Sequence, residues 1–176
     1  MKRAHIRKAR RIGNSMLIGA VSGLAASWVM NQYWTAEAKL KEKFQPAEND
    51  SEGQQQDQSE NPTVKVADTI AQSVTGQEVP EQQKPAAGSA VHYGFGAAMG
   101  ALYGLLSEVA PVARLGFGLA YASALWLAAD EIMLPVLKLS KTPDEYPPSK
   151  HLEALGAHLV YGATTEGLRR ALQRAA

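Results

Sequence analysis

The chain has no cysteine. That excludes disulfides, thiolate nucleophiles, cysteine-ligated iron–sulfur clusters and cysteine-containing zinc sites, and it leaves the compartment open. The motifs of the commonest catalytic machinery are missing as well. There is no His-Glu-x-x-His, no glycine-rich phosphate loop and no Gly-x-Ser-x-Gly elbow. The nearest loop glycine, in Pro85-Ala-Ala-Gly88-Ser89, has the composition of a linker. An enzyme is therefore not expected, and no cofactor or metal is called for.

What is present is sharply divided. Hydrophobic residues make up 45% of the 176 positions, an ordinary average, but most lie outside the polar stretch 37–88, where Gln, Glu, Asp and Pro dominate. The net charge of +1 hides a similar division. Lys2, Arg3, Arg7, Lys8, Arg10 and Arg11 crowd the first eleven residues, which hold no acid. Directly before an apolar run, such a cluster reads as a cytoplasmic anchor on anionic lipid headgroups. Nucleic acid is not the expected partner; the lipid bilayer is.

Four apolar segments follow: 12–34, 90–109, 112–137 and 152–168. About 20 helical residues span the hydrocarbon, and lipid leaves backbone groups no partner outside a helix. The expected fold is all-α, an integral membrane protein of four transmembrane helices arranged as two hairpins. The fourth is diluted by Glu153, His158 and Glu166, so its neighbours must cover a polar face. The rival is a soluble antiparallel bundle, but the Gly/Ala-rich middle segments lack the polar outer face that water demands.

Charge sets the orientation. Segments 1–11, 110–114 and 168–176 carry ten Lys/Arg and no acid, whereas 35–89 carries five bases against ten acids. The positive-inside rule then puts both termini in the cytoplasm, with a basic N-terminus (1–11), an acidic external loop (35–89) and a cytoplasmic tail (169–176). A cleaved signal peptide is the competing reading, because Ala36-Glu37-Ala38 has the small-x-small pattern of a cleavage site. Within the loop, residues 48–58 are too polar to pack and read as flexible. After Pro62, the spacing of Val66, Ile70 and Val74 predicts a short amphipathic helix, with Gly76 as its stop.

Gly96, Gly100 and Gly104 form a stripe on the second segment, and Gly19, Gly23 and Gly118 offer matching surfaces on the first and third. Small residues at such spacing let membrane helices approach closely. A His-x-x-aromatic-Gly-Ala phrase occurs twice, at His92–Ala97 and His158–Ala163. A weaker echo links Trp28 before Asn31-Gln32 to Trp126 before Asp130-Glu131. Together they suggest an internal repeat of two helix pairs.

The candidate site is a polar vestibule toward the outer side, built from Asp130, Glu131, His158 and His92. Ionisable residues inside a membrane are costly and mark ion paths, partners or protein interiors. His158 lies about 10 Å deeper than His151 and Glu153 at helical rise. Pro135 offers no N–H to the Glu131 carbonyl, so a kink or free carbonyl is expected beside the acidic pair. Proton or cation handling, haem or metal ligation by His92 and His158, and docking to another membrane subunit are the functional readings. The plain alternatives are interface histidines, a core hydrogen bond at His158, and acids paired with Lys138. Glu166 is expected to pair locally with Arg169 or Arg170, and Glu108 with Arg114 across the Ala110-Pro111 turn.

The stretches HYGFGAAMGALYGLLSE, Trp126–Pro135 and HLVYGATTEGLRR resemble the YagU-like bacterial inner-membrane proteins, a family of unknown function. The resemblance covers residues 90–170. It implies a multi-span inner-membrane protein, with a suggested link to survival in acid, and supplies no site residue. The expectation is a small non-enzymatic inner-membrane protein in envelope or proton/ion homeostasis. The alternatives are an accessory or structural subunit and a haem- or pigment-binding subunit. A four-span chain encloses little volume, so a homo-oligomer or a larger membrane complex is the expected assembly.

Overall fold

A computed structural model describes residues 2–44 and 61–175; the acidic stretch 48–58, read above as flexible, lies outside them. Every element among the described residues is helical: α1 (Lys2–Phe44), α2 (Pro62–Thr75), α3 (Lys84–Val109), α4 (Leu119–Trp126), α5 (Leu134–Val136) and α6 (Pro148–Ala175), with short 3-10 turns between. A π-helical segment, Leu127–Met133, joins α4 to α5 as one rod. Two rods, within His5–Phe44 and Leu119–Val136, are long and apolar enough to cross a membrane. Glycines dilute α3, and polar side chains dilute α6.

Helix ends depart from the apolar segments for local reasons. α1 runs on past residue 34 because TAEAKLKEKF is rich in helix formers and carries the Glu37–Lys41 pair at i,i+4. The third apolar segment splits. Pro111–Arg114 is a 3-10 turn, and Gly116, Phe117 and Gly118 all take positive φ, so regular helix starts only at Leu119.

The short amphipathic helix is α2. Asn61 caps it by accepting from the Thr63 N–H at 3.0 Å, and Gly76 ends it in the left-handed region at φ 74°. Its buried face is not the stripe that marked it in sequence. Val64 and Ala67 pack toward α3, where Gly88 makes room for Val64, while Ile70 and Val74 stand exposed. The missing side chain on α3 selects the face, and the Val66–Ile70–Val74 stripe does not.

α1 crosses α3 with backbone against backbone. A Cβ on Gly19 would fall on the Gly100 carbonyl, one on Gly23 on the Gly96 carbonyl, and one on Gly104 on the Ser15 carbonyl. α4 crosses α6 in the same manner, with Gly118 and Ala122 against Gly162. Gly96 and Gly162 belong to the two His-x-x-aromatic-Gly-Ala phrases, so each phrase puts its glycine at a crossing. The aromatics diverge: Phe95 is exposed, and Tyr161 is buried with its hydroxyl donating to the Gly96 carbonyl at 2.6 Å.

The interior is built from small and hydroxyl-bearing residues. Ala26, Met30, Tyr103, Tyr121, Ala157 and Tyr161 form the core cluster. Ser22 and Ser27 are buried and return their hydroxyls to their own helix, four residues back. Large aliphatics face outward, among them Leu17, Val21, Leu24 and Ile132.

Gly100→Leu is expected to break the α1–α3 crossing, costing about 3 kcal/mol or more because backbone cannot retreat as a side chain does. Gly94→Leu is the control, since a Cβ there meets nothing within 4 Å. Thermal unfolding in mild detergent should separate the two variants clearly.

Candidate functional site

Asp130 and Glu131 sit in the π-helical segment Leu127–Met133, two turns below the α4–α6 crossing. The bond register there widens, with the Leu134 N–H reaching the Ala129 carbonyl five residues back. Pro135, one residue further on, supplies no N–H. π-turns are rare and recur at functional sites. This one turns two neighbouring carboxylates toward α6, where His151 and His158 stand two helical turns apart.

Each acid takes one histidine. Asp130 Oδ2 lies 3.7 Å from His158 Nδ1, longer than a hydrogen bond. The same His158 nitrogen donates to the Ala154 carbonyl at 2.9 Å, which fixes the ring. Glu131 Oε1 lies 2.7 Å from His151 Nδ1, and His151 Nε2 lies 3.0 Å from the Pro143 carbonyl. A carbonyl only accepts, so Nε2 carries a hydrogen, and a carboxylate opposite Nδ1 favours a hydrogen there too. The Glu131 carboxylate, aided by the Pro143 carbonyl, holds the His151 imidazolium above the ordinary histidine range. His151 thus clasps the 138–150 loop and the end of the α4–α5 rod onto α6.

His92 is not part of this group. Its Nε2 lies 3.3 Å from the Ser27 carbonyl of α1, and the next residue, Tyr93, accepts from Asn31 Nδ2 at 3.1 Å. It belongs to the α1–α3 seam. Lys138 holds a left-handed turn at φ 57° and joins no ion pair among the described residues. His151, read from sequence only as a residue at the mouth of the fourth helix, is the partner that composition did not single out. Among the described residues no group of three or more His, Asp or Glu side chains could hold a metal ion.

At the opposite, basic end lies a polar network that the sequence showed only in part. Glu166 is fully buried and accepts from Arg169 through both oxygens, at 2.7 and 3.1 Å, from Arg170 Nε at 2.6 Å and from the Tyr103 hydroxyl at 2.9 Å. Arg169 also donates to Gln173 at 2.7 Å. Gln173 reaches Ser15, and Ser15 donates to Glu108 at 3.3 Å. Glu108 pairs with Arg11 at 2.9 Å, across helices, where the sequence reading had paired it with Arg114. The turn after Val109 carries Arg114 away, while α1 brings Arg11 alongside. The signal for the network was present: Glu166, Arg169 and Gln173 share one face of α6.

Two outcomes follow. Glu166→Ala strands a buried guanidinium and is expected to cost roughly 3–5 kcal/mol, with part of the loss recovered in Glu166→Ala/Arg169→Ala, read by thermal unfolding. The His151 clasp should respond to pH. A histidine whose folded pKa is raised contributes stability that is complete below its unfolded value of 6.5 and fades as pH rises through the folded value. Hydrogen-exchange protection of residues 138–151, corrected for intrinsic rates, should therefore fall as pH is raised through neutrality, and His151→Gln should flatten that dependence.

No curated protein and no solved structure matches the chain. A family model described as "Protein of unknown function (DUF1440)" matches residues 41–167. That is well over half the chain, and it takes in α2 through most of α6, both acid–histidine pairs and Glu166. The chain is a member of the DUF1440 family of proteins of unknown function.

Proposed function

We propose that the chain is a non-enzymatic bacterial inner-membrane protein with four spans and both termini cytoplasmic, acting in proton or ion homeostasis at the cell envelope. The single observation that carries the role is the π-turn, which seats Asp130 beside His158 and Glu131 beside His151. Ionisable side chains within a membrane are costly, and acids facing histidines there suit a role in carrying protons or cations.

Inverted polarity supports the membrane reading. Exposed Leu17, Val21, Leu24, Trp28, Ile132 and Val136 suit lipid, while Ser22, Thr165, Glu166 and Arg169 are buried. α3 and α6 fall short on composition alone, yet their polar groups turn inward, as spans packed in a bundle require. The likeness to YagU-like proteins agrees with this location.

The other two readings have less support. An accessory subunit would bind through the glycine stripes, but Gly19, Gly23, Gly96, Gly100 and Gly104 are covered within the chain. A haem was to use His92 and His158, which bond to backbone carbonyls on different helices.

The test uses vesicles loaded with a pH-sensitive dye and containing the purified protein. An imposed acid step should relax faster with wild type than in protein-free vesicles. Asp130→Asn/Glu131→Gln should lose that acceleration while keeping the same elution volume in detergent. Relaxation equal to empty vesicles for the wild type would end the ion-handling proposal.

A further inference from the structure

We infer that the groove between α1 and α3 at the basic end of the bundle binds one anionic phospholipid, with its phosphate at Arg10 and Asn14 and an acyl chain along α1. The inference rests on the membrane reading above. The groove has a volume of about 490 Å³ and is shallow and open along its length. Gly13, Leu17, Ala20 and Ala101 line it, and its polar groups come from Arg10 and Asn14.

The residues explain the shape. Arg10, Gly13, Asn14, Leu17 and Ala20 fall at i, i+3, i+4, i+7 and i+10, one face of α1. Gly19 and Gly23 lie elsewhere on the helix and are filled by α3. Gly13 differs from them, because a Cβ on it would meet nothing within 4 Å. It therefore has no packing role inside the chain, and its missing side chain holds the groove open. Ala20 and Ala101 continue the same shallow floor.

Length and charge select the occupant. From Arg10 to Ala20 the helix rises about 15 Å, half of the roughly 30 Å hydrocarbon layer and so the depth of one leaflet. The two adjacent arginines divide their roles. Arg11 turns to Glu108 at 2.9 Å, while Arg10 has no carboxylate partner among the described residues and stands at the groove mouth. Cations at helix ends on the cytoplasmic side recognise anionic headgroups. An apolar protein surface would leave the Arg10 cation unmatched; a phospholipid matches both the apolar floor and the cation.

The experiment equilibrates the full-length protein with mixed micelles holding equal phosphatidylglycerol and phosphatidylcholine, then counts retained lipid by native mass spectrometry. One phosphatidylglycerol should remain in preference to phosphatidylcholine. Arg10→Ala should lower that preference about fivefold, the loss expected for one cation near an anionic surface. Gly13→Leu should abolish retention of either lipid with unfolding temperature unchanged, since its side chain fills only the groove. Equal retention of the two lipids by wild type, or unaltered retention in Gly13→Leu, would overturn the inference. So would Gly13→Leu dissociating an oligomer without changing lipid content, which would make the groove an interface between copies. Carbonate washing of native membranes separates the two levels. A chain released by carbonate removes the membrane reading as well; a chain that stays but lacks lipid preference removes the lipid site alone.

Discussion

Where α1 meets α3 there is no side chain to act as a spacer, and the carbonyls of Gly96 and Gly100 lie where a Cβ on Gly23 or Gly19 would have to be. That closeness sets the positions of everything else. It brings Ser15 within reach of Glu108, Asn31 within reach of Tyr93, and the Gly96 carbonyl within reach of Tyr161. α6 then has a fixed surface on which to lie, and α4 a fixed α6 to cross. Dispersion is strongest at such short separations, and small residues lose little entropy on ordering, which suits a bundle that buries few large aliphatics.

The two ends of the bundle use charge in opposite ways. At the basic end Glu166 is surrounded by Arg169, Arg170 and Tyr103, so its oxygens are saturated and the cluster acts as a fixed brace. At the other end each acid has a single titratable partner, and one of the two contacts is longer than a hydrogen bond. In the brace every carboxylate oxygen is held by a fixed donor; at the π-turn each acid faces one imidazole only. The contrast is the physical reason for placing function at the π-turn and structure at the brace.

Much of this was legible in the sequence because it rests on local pattern. Helical periodicity, the Gly76 stop of α2, the glycine spacing and the acidic pair before Pro135 are all properties of neighbouring residues. What escaped was decided across helices. Which histidine meets which acid depends on the register between the α4–α5 rod and α6, and nothing near Glu131 in sequence points to His151. The Arg11–Glu108 pair joins residues far apart in the chain, and a charge at the correct separation across a turn, Arg114, was the more visible partner. The face that α2 buries was set by a void on α3, at Gly88, which receives Val64, and not by α2's own hydrophobic stripe.

The π-turn also bears on how the acidic pair is aimed. In the first half, Trp28 precedes Asn31 by three residues; in the second, Trp126 precedes Asp130 by four. One extra residue inside an ordinary helix would swing everything beyond it by about 100°, since 3.6 residues make a turn. A five-residue bond register takes up that addition locally. The crossing at Gly118 and Ala122 and the helix beyond the bulge can then keep their facing, and only the bulged turn itself is re-aimed. The bulged turn is the one that carries Asp130 and Glu131, so the added residue falls where the acidic pair faces His158 and His151 on α6.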